Sequence, residues 1–257
     1  MPLNNIQNLM ELAPVFVLVL FRVGGLMFFA PFLGLMVIPV RIRILIALIF
    51  SLAVFPLVPR TVIVHNSLLS LSLAVGGEML IGIAMGFMLM LMFTGIEMGA
   101  AMVSHQMGWA MARLVDPMSM NQSNLLSQFY LLMITLFYVL MNGHLLLIRS
   151  LAQTFKTIPL LGSANTQALL DTLVSVLTEA FKLGIRVAGP ALVAIFLATL
   201  ALGFISRTMP QLNILAAGFP VRIGLALVLL IASVGMVGML FKDYLVMTFR
   251  QIGYVFL

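Results

Sequence analysis

Between Glu78 and Glu97 the chain reads MLIGIAMGFMLMLMFTGI, residues 79–96, without a single charge. A charge held in hydrocarbon costs several kcal/mol, so an uncharged apolar run of roughly 20 residues is what a bilayer core demands. With no water to satisfy the backbone there, such a run is a helix. The same gaps recur along the chain. No charge falls between Arg22 and Arg41, Arg43 and Arg60, Arg186 and Arg207, or Arg222 and Lys242. Asp116 to Arg149 is also uncharged, and its polar start at Ser119 to Asn124 trims it to about one span. The expected helices lie near 12–33, 40–58, 67–105, 125–148, 184–206 and 219–241. The 67–105 run would be about 58 Å long as one helix, against a hydrocarbon core of about 30 Å. It is either one helix leaving the membrane or a tight hairpin, with Gly95 and Gly99 as the expected bend.

Composition agrees. Of 257 residues 63% are hydrophobic and 8% charged, and the mean hydropathy is +1.23. A soluble domain carries about 25% charged residues. There is too little charge here to cover a water-facing surface, which excludes a soluble enzyme. Cysteine is absent, which removes disulfides, thiolate catalysis and cysteine metal sites. The net charge of +6 comes from basic residues scattered singly, which points to lipid head groups and partner proteins rather than nucleic acid. Glu11 precedes the first apolar run and Pro14 sits inside it, so the start does not read as a cleavable signal. If each run crossed once, Arg41, Arg43, Arg113, Arg207 and Arg222 would lie on one side. Arg60, Arg149, Lys156, Lys182, Arg186, Lys242 and Arg250 would lie on the other. The positive-inside rule usually separates the sides clearly. Here it does not.

The most polar stretch, 150–182, reads as a helix end after Arg149, a break at Pro159, Gly162 and Ser163, and an amphipathic helix near 166–182. Ile38-Pro39-Val40-Arg41-Ile42 echoes Phe219-Pro220-Val221-Arg222-Ile223. Both are expected to open an apolar helix, since proline suits the first turn. Gly82-xxx-Gly86 and Gly95-xxx-Gly99 put small residues on one helix face, where backbones can approach closely. Glu78 and Glu97 lie in apolar surroundings and are expected to pair with an arginine across a helix interface more readily than to relay protons. His65, His105 and His144 are far apart, and no HExxH, GxSxG or phosphate-binding glycine loop occurs. No catalytic, metal or cofactor constellation is read.

Eleven of the twenty-one methionines fall within residues 79–120. Methionine is flexible and polarizable, so it serves as core filler or as a compliant seal around something of variable shape. Segment 106–124 carries the only tryptophan, Trp109, the Arg113/Asp116 pair, Pro117 and four methionines. So apolar a connector suits a protein-lined aqueous cavity, where irregular backbone is allowed.

Several stretches in order resemble the FliR family of bacterial flagellar export gates and its injectisome relatives. They are Phe21-Arg22-Val23-Gly24-Gly25, Ala30-Pro31-Phe32, Ile38-Pro39-Val40-Arg41-Ile42-Arg43, Val115-Asp116-Pro117, and Asn142-Gly143-His144 through Arg149. The most specific are Arg207-Thr208-Met209-Pro210-Gln211-Leu212-Asn213 and Gly218-Phe219-Pro220-Val221-Arg222-Ile223-Gly224. The last two look more flagellar than injectisome-like.

The resemblance implies an all-α integral membrane protein of helical hairpins, with a FliP-like part (1–180) fused to a FliQ-like hairpin (181–257). It implies one copy joined to several FliP and FliQ subunits, with FlhA and FlhB beside them, in the bacterial inner membrane within the flagellar basal body. The assembly would pass unfolded export substrates, and standing partly above the membrane would account for the failed charge rule. The resemblance makes loop 106–124 a pore plug, with Met107, Gly108, Met111, Arg113, Asp116, Pro117, Met118 and Met120 as its residues. It makes Arg41, Arg43, Arg207, Pro210, Gln211, Asn213 and Arg222 packing or partner contacts. The rival class is a solitary solute transporter, which expects duplicated halves and midplane charges in broken helices.

Overall fold

A computed structural model describes residues 2–31, 39–58, 68–108, 125–162, 165–209, 211 and 214–256. All regular structure among them is helical: α1 (Pro2–Phe29), α2 (Val40–Val54) with a 3-10 turn (Phe55–Leu57), α3 (Leu68–Gln106), α4 (Leu125–Leu140), α5 (Gly143–Thr157), α6 (Thr166–Thr208) and α7 (Ile214–Phe256). Five of these helices are long and apolar enough to cross a membrane, or six if α4 and α5 together count as one.

Five expectations about boundaries change. The 67–105 run is a single helix, so Gly95 and Gly99 make no bend. The 125–148 run breaks at Asn142, whose left-handed φ of 56° is a conformation asparagine tolerates better than most residues. The helix end expected after Arg149 instead falls at Thr157. The amphipathic stretch 166–182 and the run 184–206 are one helix of 43 residues that continues through Pro190. Finally, α7 begins at Ile214, so Pro220 lies inside it and Phe219-Pro220-Val221-Arg222 opens nothing. Only the first copy of the echo keeps its expected place, with Pro39 as the cap of α2. The expected division at 180/181 falls within continuous α6.

The chain gathers into two compact units, each assembled from separate stretches. The first comprises Met1–Leu91, Asn142–Leu177 and Leu245–Leu257. Its α1 buries Val15, Leu18, Val19, Arg22 and Leu26, the i, i+3, i+4, i+7 stripe of an inward helix face. That face meets α3 backbone to backbone. A Cβ on Gly82 would collide with the carbonyl oxygen of Arg22, one on Gly86 with that of Leu26, and one on Gly25 with that of Met79. Helix α2 buries Ala47, Ser51 and Val54, with Phe16 and Phe55 edge-to-face at 5.7 Å.

The second unit comprises Met92–Met141 and Thr178–Tyr244. Gly95 and Gly99 of α3 lie against the carbonyls of Ala180 and Gly184 on α6. Both GxxxG pairs are therefore close-packing seams. Phe93 stands edge-on to Tyr138 of α4 and Phe241 of α7, at 5.6 and 5.5 Å. Val103, Met107, Ala188, Ile195 and Ala226 form a further apolar cluster.

Burial is uneven among the helices. In α3, 61% of the apolar span is buried, against 17% in α2 and in α6 and 22% in α7. The last three leave large apolar side chains such as Ile44, Leu52, Phe204 and Ile231 exposed. Water cannot cover such surfaces without cost; lipid or other helices can.

Candidate functional site

The densest polar arrangement among the described residues is buried in the first unit. Arg22 sits on the apolar stripe of α1 and is fully buried, and Glu78 of α3 is 2% exposed. Nε of Arg22 donates to Glu78 Oε2 at 2.5 Å. Its Nη1 donates to Thr154 Oγ1 at 3.4 Å and to the Ile158 carbonyl at 3.2 Å, and its Nη2 donates to the same carbonyl at 3.2 Å. The other carboxylate oxygen accepts the Leu161 backbone N–H at 3.1 Å. The guanidinium lies over the Phe155 ring, 4.3 Å from its centroid. An uncompensated buried charge would be very costly. Here four of the five guanidinium N–H donors and both carboxylate oxygens are engaged. The expected arginine partner of Glu78 is thus Arg22, with no proton relay needed to explain it. Glu97, by contrast, is exposed, and its backbone carbonyl accepts from Ser127 Oγ at 3.4 Å. Sequence reading missed Thr154, Ile158 and Leu161. Two of the three contribute backbone groups, which leave no side-chain signature.

Of the expected plug residues, Met107 and Gly108 are described. Met107 is 1% exposed and packs with Val103, Ala188 and Ile195. Gly108 has φ +82° and its N–H donates to the His105 carbonyl at 3.1 Å. This left-handed glycine ends α3, as glycine does at many helix C-termini. Met111, Arg113, Asp116, Pro117, Met118 and Met120 lie outside the described residues. The methionines of α3 differ in burial. Met85, Met88 and Met92 are buried core, whereas Met79, Met90 and Met102 are exposed.

The expected contact residues that are described fall on several different helices and near their ends. Arg41 is exposed and Arg43 half-buried in the first turn of α2. Arg207 is exposed in the last turn of α6, where a cation complements the helix dipole. Gln211 is exposed, and Pro210 and Asn213 lie outside the described residues. Arg222 is half-buried inside α7, and its Nε, closed to solvent, meets no acceptor among the described residues.

Residues 13–247 match the family described as bacterial export proteins, family 1. The chain belongs to this family. Among similar members, flagellar biosynthetic protein FliR of Escherichia coli K12 is 33% identical over 218 residues, covering 83% of this chain and 81% of its own length. The FliR proteins of Aquifex aeolicus and Bacillus subtilis are 27% and 24% identical. They cover 91% and 94% of this chain, and 90% and 94% of their own lengths. As a bacterial export protein of family 1, the chain is matched across every helix from α1 to α7, so the family assignment embraces both compact units. The arrangement offers this family member no metal cluster among the described residues. Its densest described polar cluster is a buried ion pair, and many large apolar side chains are exposed.

Proposed function

We propose that the chain is a subunit of the flagellar type III protein export gate, part of the pore through which unfolded flagellar proteins leave the cell. The observation that carries this reading is end-to-end similarity to proteins named flagellar biosynthetic protein FliR, at matching length. Its partners in this reading are FliP and FliQ in one closed assembly, with FlhA and FlhB alongside, in the inner membrane of the basal body. The fusion of a FliP-like part, 1–180, with a FliQ-like hairpin, 181–257, belongs to the same reading. So do partner contacts at Arg41, Arg43, Arg207, Pro210, Gln211, Asn213 and Arg222.

The plug is loop 106–124, rooted by buried Met107 and started by the Gly108 turn. An unfolded substrate presents varied side chains, so a seal of fixed shape would fail. Methionines adapt to different surfaces and would close the idle pore to ions, parting as a chain passes. Driving energy comes from other components, and no catalytic step is assigned to this chain.

Native mass spectrometry of the tagged protein, extracted in mild detergent from its own host, tests the assignment. One copy in a complex with two smaller membrane proteins is expected. A stable, monodisperse monomer or homodimer would overturn the reading in favour of a solitary transporter.

A further inference from the structure

The glycine seam and the ion pair between α1 and α3 do different work. Gly25, Gly82 and Gly86 already bring the two helix backbones into contact. Arg22 and Glu78 sit at that seam, but four of their five hydrogen bonds leave it. Arg22 reaches the Ile158 carbonyl and Glu78 reaches the Leu161 N–H, both in the turn that follows α5. That turn is strained. Leu161 has φ +68°, a left-handed conformation that a Cβ disfavours. Within the turn the Gly162 N–H donates to the Pro159 carbonyl at 2.8 Å. The next helix opens with Asn165, whose Oδ1 accepts the N–H groups of Gln167 and Ala168 at 3.1 and 3.3 Å.

We propose that Arg22 and Glu78 are positioning residues: from the α1–α3 seam they hold the 158–162 turn in its left-handed form and so fix how α6 leaves α5. Burying an ion pair gives little net stability compared with apolar residues of the same volume, and its best-attested use is to select one geometry. The network fits that use. It is buried, nearly saturated, and, the bond to Thr154 Oγ1 of α5 apart, spends its outward donors and acceptor on backbone groups of a single turn. The exposed Leu161 side chain offers no alternative anchor. This inference stands apart from the pore assignment and holds for the chain in any assembly.

The chain contains no cysteine, so label sites are introduced without removing native ones. Spin labels at Leu145 and Leu170, both exposed, report the α5–α6 relation. Labels at exposed Phe28 and Leu80 report the α1–α3 seam. Distances are measured in the full chain, purified with whatever co-purifies from its host. In the double variant Arg22→Met/Glu78→Leu no charge is left unpaired. The 145/170 distance distribution is expected to broaden or shift, while the 28/80 distribution stays narrow. An unchanged 145/170 distribution overturns the proposal. Broadening of both to the same degree also overturns it, since the pair would then be a general stabiliser. If the double variant fails to accumulate, Glu78→Gln is read the same way: a 145/170 distribution as narrow as the parent's is fatal to the idea.

Discussion

Gly24 and Gly25 are neighbours in sequence with opposite surroundings. A Cβ on Gly24 meets nothing within 4 Å, whereas one on Gly25 strikes the Met79 backbone. Gly24→Ala is therefore expected to be neutral or to stabilise by up to about 1 kcal/mol through helix propensity. Gly25→Ala and Gly82→Ala force two backbones apart and are expected to cost about 1–3 kcal/mol or more, as overpacking does. Melting of the purified protein separates these outcomes; a Gly82→Ala protein that melts with the parent would contradict the seam. At this scale the sequence was partly legible. The GxxxG spacing announced close packing, and the apolar setting of Glu78 announced an arginine. Neither identified Arg22, because it is 56 residues away from Glu78 in the chain and no periodicity links them. The methionines could not be divided by sequence either, since buried Met88 and exposed Met90 differ only in which way the helix turns them.

Among the elements, existence was legible and extent was not. Charges were read as ends of spans, yet α6 carries Lys182 and Arg186 within its unbroken length. A helix needs apolar residues only where it meets hydrocarbon or core, and it can pass beyond both. Proline was read as a start at Pro220, but a helix in protein or lipid can continue past one lost hydrogen bond. Gly95 and Gly99 were read as a bend because glycine lowers helix propensity; close approach to α6 is what they serve instead. The loop after α3 belongs to this scale too. Its start is fixed by Gly108 and its end by Leu125, where α4 begins. Replacing 111–120 with a glycine/serine stretch of equal length is expected to leave the protein folded and assembled. The same change should raise ion conductance of vesicles or cells several-fold. Unaltered conductance would remove the plug assignment and leave the family assignment standing.

For the whole molecule, the positive-inside count separates no sides, while five helices, or six if α4 and α5 count as one, are long and apolar enough to cross a membrane. The two facts share a cause if part of the apolar exterior is covered by protein rather than lipid, since charge bias sets orientation only for segments that cross. Helices α2, α6 and α7, with 17–22% of their apolar spans buried, are the surfaces concerned. In lipid, bulky aliphatic residues such as Val228 and Ile231 on α7 would be surrounded by acyl chains whether or not partners are present. In an assembly they would be covered by neighbouring helices. The absence of cysteine makes the difference measurable. Single cysteines at Val228, Ile231, Val193 and Phe204, all exposed in the chain alone, would be probed with a membrane-permeant maleimide. The proteins compared are the chain expressed alone and the chain expressed with its full set of host export proteins. Protection by at least several-fold on co-expression is expected at most of these sites. Equal reactivity in both cases would mean that the apolar faces are lipid faces, and a protein complete by itself would explain them better than a subunit does.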